Sequence, residues 1–178
     1  MTYQRFEELP VWKAAQGLGV DVFALVEDRA FDHKGDLRDQ LQRAVLSISN
    51  NVAEGFERGT TEDLLWFIYI ARGSAGEVRN GLLLAARLVE RGILTSEISD
   101  LRSQISELLP RCESVSRQLR GWADSLQNSD VRGQRHLNER VRAEGERERR
   151  MRGFLDKLQR IREAGTPPAG EGKGEGEI

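Results

Sequence analysis

The sequence predicts an all-α protein: an up-down antiparallel four-helix bundle, followed by a C-terminal charged helical extension and a disordered tail. Two observations support this fold class. Apolar residues recur at spacings of three and four in four separate segments, which is the period of an amphipathic helix. Charged residues make up 31% of the 178 residues, aromatic residues only 6%, and there are four prolines, a composition that favours helices over a β-sandwich or barrel. Short connections between four such helices are typical of an up-down bundle.

The first two predicted helices span residues 10–28 and 36–57. Pro10 suits a first helical turn, because its missing N–H is not needed there. Residues 30–35 between the helices read as a loop. The apolar stripe of the first helix is Trp12, Ala15, Leu18, Val22 and Leu25, and that of the second is Leu37, Leu41, Ala44, Ile48, Val52 and Phe56.

The third predicted helix spans residues 61–91, and Thr60 with Asp63 has the spacing of a capping box at its start. Its core stripe keeps an alternating four-three step typical of bundles with shallow crossing angles. Each glycine in a helix interior costs up to ~1 kcal/mol against alanine. Gly73, Gly76 and Gly81 therefore predict that another backbone comes close to this helix.

The fourth predicted helix runs to residue 127, with Thr95 or Ser96 as its expected N-cap. Pro110 is expected to kink it, since proline removes a backbone hydrogen bond. The apolar stripe is Ile98, Leu101, Ile105, Leu108, Cys112, Val115, Leu119, Trp122 and Leu126.

Charge separates the chain into three predicted parts. Residues 1–127, the bundle, carry fifteen basic and nineteen acidic residues, a net of −4. Residues 128–163, the helical extension, carry eleven basic and seven acidic residues, a net of +4. The sign difference predicts that a polyanion would contact the extension rather than the bundle. Residues 164–178 are of low complexity and predict a disordered tail.

The extension offers two sets of candidate contact residues. The basic set, for nucleic acid or a partner, is Arg140, Arg142, Arg147, Arg149, Arg150 and Arg152. The apolar set, as docking anchors in the groove of a partner protein, is Phe154, Leu155, Leu158 and Ile161.

The residue types needed for catalysis or for holding a cofactor do not fall into recognisable patterns. The two histidines, His33 and His136, lie far apart, and no phosphate-binding glycine loop is present. The single cysteine, Cys112, excludes an internal disulfide and a cysteine-ligated zinc site. We therefore expect no enzyme activity, no catalytic residue, no cofactor and no metal. Without a leader segment or a long apolar run, the protein is expected to be cytoplasmic and soluble, with no membrane contact.

Polar residues interrupt two helices that otherwise read as core. They are Arg43, Ser47, Asn50, Asn51 and Glu54 on the second helix, and Arg72, Ser74 and Glu77 on the third. On the third helix, Ser74 and Glu77 belong to a second seam with Phe67, Ile70, Gly81, Leu84 and Leu88. One interpretation is an inter-helix network in which Glu54 or Glu77 pairs with Arg43 or Arg72. The other is a subunit or ligand interface on the same faces, and the two are compatible.

Three stretches carry a resemblance to a known family: residues 9–14 (LPVWKA), 40–56 (QLQRAVLSISNNVAEGF) and 67–74 (FIYIARGS), together with Glu77. Over about residues 3–127 the chain resembles the bacterial four-helix bundle proteins. That family includes proteins encoded in intervening sequences of large-subunit ribosomal RNA genes and the accessory variability determinant of diversity-generating retroelements. Within the signature, Ser49 stands where the family usually has proline, and Gln42-Arg43 where it usually has two arginines.

The resemblance implies a homopentameric ring of bundles. In the retroelement branch, the ring is a non-catalytic partner of a reverse transcriptase and binds nucleic acid through basic surface residues. We therefore expect a homo-oligomeric scaffold that binds a partner protein, such as a reverse transcriptase, and RNA or DNA. The alternative is a protein–protein assembly module that uses its extension as a docking helix and binds no nucleic acid.

Overall fold

The computed structural model describes residues 3–96, 100–129, 133, 143 and 146–156. These ranges contain helices and no strand, so the predicted all-α class is confirmed. The long helices are α1 (Pro10–Val26), α2 (Gly35–Glu57), α3 (Thr61–Glu90) and α4 (Leu101–Gln127). Short 3-10 helices cover Phe6–Glu8 and Arg29–Phe31. Residues 146–156 form a further helix, α5.

The chain divides into two compact units, residues 1–135 and 136–178. Helices α1 to α4 belong to the first unit. Helix α5 belongs to the second, and all of its residues are exposed. The predicted boundaries at residues 127 and 163 stay predictions, because most of residues 128–178 lie outside the described ranges.

Each long helix packs against two others: α1 and α3 both contact α2 and α4. Neighbours in sequence run in opposite directions. Between α1 and α2, Gln16 hydrogen-bonds Ser49 and Arg38 pairs with Glu27, so positions rise along one helix as they fall along the other. The same reversal is seen in the pairs Ser47–Ser74 and Gln40–Glu77 between α2 and α3, and Tyr69–Gln127 and Arg79–Glu113 between α3 and α4.

The core lies between these four helices and is formed by their apolar stripes. Most stripe residues of all four helices are fully buried, because the four-three spacing keeps them on one side of each helix. Phe31 and Leu94 complete the core from the connections. Asp28 joins these two connections: its Oδ1 accepts a hydrogen bond from the Ala30 N–H at 2.8 Å, and its Oδ2 accepts one from the Ser96 hydroxyl at 2.8 Å.

The expected N-cap of the fourth helix is wrong. Helix α4 begins at Leu101, and Asp100 caps it by accepting a hydrogen bond from the Ser103 N–H at 3.2 Å. Ser96 lies five residues before Leu101, too far from the first turn of α4 to cap it, and its hydroxyl donates to the Asp28 carboxylate. Ile98, placed in the core by the sequence, lies outside the described residues. Helix α4 continues through Pro110, and the kink stays a prediction.

The cap of α3 is where the sequence placed it. The Thr60 hydroxyl accepts a hydrogen bond from the Asp63 N–H at 3.1 Å and donates one to the Asp63 carboxylate at 2.6 Å. The carboxylate thus binds the capping hydroxyl. These bonds fix the first turn of α3, directly after the short turn that follows α2.

The surroundings of the glycines in α3 differ from those that the sequence predicts. A Cβ atom at Gly81 would lie 2.7 Å from Cδ2 of Leu41, so this position is tight, against a side chain rather than a backbone. Gly73 and Gly76 face open space, and the expected close approach there is wrong. On α2, Gly55 is close to the backbone of α3: a Cβ atom there would lie 2.7 Å from Cβ of Phe67 and 3.3 Å from Cα of Leu64.

We predict that Gly55→Ala lowers the unfolding free energy by about 1–3 kcal/mol, because the added methyl group overpacks the contact between α2 and α3. The matched control is Gly121→Ala on α4, where a Cβ atom meets nothing within 4 Å. The control should be up to ~1 kcal/mol more stable than the parent through helix propensity alone. Urea unfolding followed by circular dichroism measures both, and equal stabilities for the two variants would contradict the prediction.

Candidate functional site

A hydrogen-bonded network joins α2 to α3 at the middle of both helices. The hydroxyl groups of Ser47 and Ser74 lie 2.8 Å apart. The Asn51 amide donates to the Ser47 carbonyl at 2.7 Å and to the Ser47 hydroxyl at 2.9 Å. Because Ser74 also donates to the Ile70 carbonyl at 3.1 Å, its single proton is used, and Ser47 is the donor between the two hydroxyls.

This network explains why serine and asparagine occur inside α2. Ser74 is only 7% exposed, so its hydroxyl needs protein partners: it donates to the Ile70 carbonyl and accepts from Ser47 on the facing helix. Two residues after Ser47, on the side of α2 that faces α1, Ser49 is 3% exposed and accepts a hydrogen bond from the Gln16 amide of α1 at 3.0 Å. The polar residues therefore connect α2 to both neighbouring helices, and their bonds form in only one register.

The predicted ion pair between Glu54 and an arginine of the other polar face is absent. Glu54 pairs with Arg58 one helical turn away at 2.7 Å. Arg43 and Asn50 are exposed, and Arg43 forms no ion pair with any described residue. Glu54 takes the nearer partner because side chains four residues apart on a helix are neighbours.

The second predicted pair is also absent. Glu77 accepts a hydrogen bond from the Gln40 amide of α2 at 3.1 Å. Arg72 is half-buried and forms no ion pair within the described part of the chain. The structure thus brings together Ser47, Asn51 and Ser74 and leaves Arg43, Asn50 and Arg72 outside their network. The use of these faces between subunits stays a prediction.

Helix α3 also exposes large apolar side chains. Ile70 and Leu84, members of the predicted second seam, are 37% and 47% exposed, and Trp66 is 68% exposed. Tyr69 is exposed as well, and its hydroxyl accepts a hydrogen bond from the Gln127 amide at 3.0 Å. Trp66 and Ile70, one turn apart, form a small exposed apolar patch, and such patches are common where one protein meets another. The sequence reasoning missed Trp66, although it lies four residues before Ile70.

A cleft of about 270 Å³ lies between α3 and α4, and the sequence reasoning did not anticipate it. The Glu113 carboxylate, on α4, contacts the guanidinium groups of Arg79 at 2.6 Å and Arg117 at 3.8 Å. At the base of the cleft, the Cys112 thiol donates to the Ala75 carbonyl at 3.0 Å. Burial raises the pKa of this thiol to about 11, although the nearby Arg79 guanidinium acts in the opposite direction. The thiol is therefore neutral at physiological pH.

The described residues contain no group of three or more His, Cys, Asp or Glu side chains placed to hold a metal ion. In the same ranges, no helix combines the length and the apolar character needed to cross a bilayer.

The extension is described only in part. Arg147, Arg149, Arg150 and Arg152 lie on α5 and are exposed. Phe154 and Leu155 lie on the same helix and are exposed too. The other candidate contact residues, Arg140, Arg142, Leu158 and Ile161, lie outside the described residues.

Comparison with known families identifies the four-helix part. Residues 7–121 match the family model of the 23S rRNA-intervening sequence protein. The chain belongs to this family. A search among curated proteins gives no match. The match to the 23S rRNA-intervening sequence protein family begins just before α1 and ends inside α4. It therefore includes the α2–α3 network and all residues that line the α3–α4 cleft, and it stops before α5.

We predict that Ser47 and Ser74 are energetically coupled by about 0.5–1.5 kcal/mol, the usual net value of an intramolecular hydrogen bond. A double-mutant cycle with Ser47→Ala and Ser74→Ala measures the coupling by urea unfolding. The control cycle pairs Ser47→Ala with Ser114→Ala on α4, whose hydroxyl accepts a hydrogen bond from the Gln118 amide within the same helix. The control should be additive, and an equally additive Ser47–Ser74 cycle would show that the bond contributes nothing.

We predict that the Cys112 thiol makes stability fall at alkaline pH. Its ordinary pKa is 9.0 and its pKa in the fold is about 11, so between these values the unfolded state releases a proton that the folded state keeps. Stability from this group is full below pH 9.0 and is lost as pH rises toward 11. The unfolding free energy should fall by roughly 2 kcal/mol more than in Cys112→Ala over this window. Parallel slopes for the two proteins would refute the effect.

Proposed function

We propose that this protein is a non-catalytic, homo-oligomeric scaffold that binds RNA and a partner protein. The observation that carries the proposal is membership of the 23S rRNA-intervening sequence protein family over residues 7–121. In this proposal α1 to α4 form an up-down antiparallel bundle and act as the rigid body of the scaffold. Their antiparallel pairing and shared core support that arrangement.

The proposed RNA contacts include the arginines of α5. Arg147, Arg150 and Arg152 are exposed within one short helix, and guanidinium groups bind phosphate oxygens with paired N–H donors. One helix of this size makes only a few phosphate contacts, so its own affinity is weak. Several copies in one oligomer would raise the overall affinity without any new type of contact.

The proposed oligomer uses the exposed apolar residues of α3. Trp66 and Ile70 lie one turn apart and expose neighbouring apolar side chains, and Leu84 is exposed farther along the same helix. Arg43 and Asn50, exposed on the adjacent helix α2, would lie at the polar edge of such a contact. We propose a pentamer because the resemblance of the sequence implies one. A reverse transcriptase is the partner that the retroelement branch of the resemblance implies.

We predict that the full chain binds single-stranded RNA with an affinity that falls steeply as salt rises, because phosphate contacts release counterions. Replacing Arg147, Arg150 and Arg152 with Gln should weaken binding and reduce the salt slope by roughly two to three. Fluorescence anisotropy over a salt series measures both. The control makes the same change in charge elsewhere. It replaces three exposed arginines at the C-terminal end of α3 and the start of α4: Arg87, Arg91 and Arg102. Absent or salt-insensitive RNA binding would end the proposal.

The second candidate is a protein–protein assembly module with no nucleic acid. It is favoured by Met151, Phe154 and Leu155, which are exposed at three neighbouring positions of α5. A helix with such a face suits the apolar groove of a partner. Phe154→Ser with Leu155→Ser would then abolish capture of the partner in a pulldown while the oligomer stays intact by light scattering. In the RNA-binding scaffold, the same variant keeps its RNA affinity.

A further inference from the structure

The cleft between α3 and α4 exists because three small residues meet there. Gly76 has no side chain, and a Cβ atom at this position would meet nothing within 4 Å. Ala75 and Ser116 also line the cleft. The resulting volume of about 270 Å³ is open to solvent and has the size of a small polar group rather than of a large apolar ligand.

The charges at this cleft do not balance. Arg79 and Arg117 share one carboxylate, that of Glu113. The contact of Arg117 is 3.8 Å, too long for a hydrogen bond, so its N–H donors are not taken up by Glu113. The side chain of Arg117 is 71% exposed and that of Arg79 is 51% exposed. Cys112 is a neutral donor, and the cleft therefore carries a net positive charge.

The positive charge extends beyond the cleft along both helices. Arg72 lies one turn before Gly76, on the row of α3 that faces α4, and has no ion pair among the described residues. Arg120 lies one turn after Ser116 on α4, with only a 3.7 Å contact to Asp124. This strip of four arginines and two carboxylates has a net charge of +2, whereas residues 1–127 have a net charge of −4.

We propose that the α3–α4 cleft is a binding site for a phosphate group of an RNA backbone, with Arg79 and Arg117 as its main donors and Ser116 as a third. The proposal rests on the proposed RNA-binding function and adds a contact surface on the bundle itself. Because α3 and α4 are antiparallel, Arg72 and Arg120 lie toward the same end of the cleft and would contact the neighbouring phosphate on that side. Guanidinium groups bind the oxygens of phosphates and of carboxylates alike through two parallel N–H bonds. The choice of RNA over an acidic peptide therefore rests on membership of the 23S rRNA-intervening sequence protein family.

In this site Glu113 competes with the phosphate for Arg79. Two variants at the same ion pair therefore have opposite expected effects. Arg79→Gln should weaken binding of a single-stranded RNA roughly three- to tenfold and lower the salt slope by about one. Glu113→Gln should tighten binding, because it removes the competing carboxylate while leaving both arginines in place.

A matched pair of controls is available on another part of the bundle. Arg58 and Glu54 form an ion pair of nearly the same length, 2.7 Å, and Arg58 has nearly the same exposure as Arg79, 52%. Arg58→Gln and Glu54→Gln change the net charge by the same amounts. Each should alter the dissociation constant by less than about twofold, because neither residue lines the cleft and salt weakens interactions between exposed charges that are not in contact.

The experiment measures the anisotropy of a labelled single-stranded RNA with the full chain and each variant, after circular dichroism has shown equal folding. If Arg79→Gln matches Arg58→Gln while the parent protein binds RNA, the cleft is not an RNA site, and the proposed function stands. If the parent protein does not bind RNA, the proposed function fails and the inference with it. Arg79-dependent binding of an acidic peptide but not of RNA would also overturn the inference.

Two further measurements separate the geometry of the cleft from its charge and RNA from free phosphate. Gly76→Leu fills the cleft without changing any charge and should weaken RNA binding, whereas Gly121→Leu, in open space on α4, should not. Equal affinities for these variants would overturn the inference.

Inorganic phosphate alone should show little Arg79-dependent heat in calorimetry, since it offers no neighbouring phosphates to Arg72 and Arg120. Tight Arg79-dependent binding of inorganic phosphate would reassign the cleft to the free anion.

Discussion

The contact between α2 and α3 is the constraint on which the rest of the first unit depends. The two helices touch most closely at Gly55 and at Gly81, where even a methyl group has no room. Between these points, Ser47 and Ser74 form the hydrogen bond that links the helices. Packing at two points and a directional bond between them leave one rotation and one axial position for α3. A shift of either helix would separate the two hydroxyls and leave the buried Ser74 with only its bond to the Ile70 carbonyl of its own helix.

This placement of α3 determines what its other sides can do. With Ser74 and Gly81 turned to α2, the row of Gly76 and Arg79 must face α4, since a helix presents its residues at fixed angles. The remaining side carries Trp66 into solvent. One helix of thirty residues therefore supplies a packing face, the wall of a charged cleft and an exposed apolar row. A substitution that shifts α3 at its contact with α2 would therefore also move the cleft wall and the exposed apolar residues.

Periodicity predicts much of this fold and little of its local chemistry. The apolar stripes identify the four helices, because apolar residues repeated every three or four positions lie on one face of a helix. That face is buried in the core, as Leu18 and Ile48 show. The same logic correctly keeps the polar run of Ser47 and Asn51 within a helix. It cannot name their partners, because those depend on the register between helices. Glu54 shows the limit: an arginine on another face was expected, and Arg58 was nearer.

The glycines and caps show the same limit in another way. Gly76 and Gly81 look alike in the sequence, yet one faces open space and the other a leucine side chain. Only the angle at which α3 meets its neighbours decides between them. Ser96 and Asp100 are both acceptable N-caps by residue type. Asp100 is the cap because α4 begins at Leu101, whereas the Ser96 hydroxyl donates to Asp28, a contact so distant in sequence that it has no local signature. The cleft is lined by residues of both α3 and α4, so no single stretch of the sequence predicts it.

The buried thiol of Cys112 has a consequence for the chemistry of the surface above it. Oxidants and alkylating agents attack the thiolate, and a thiol with a pKa of about 11 holds almost none of it at neutral pH. Its hydrogen bond to the Ala75 carbonyl and its full burial also keep it from another chain. The only cysteine of the protein is thus unreactive while folded. Changes in cellular redox state leave the charges of α3 and α4 unaltered, and an assembly of these chains cannot be locked by disulfides.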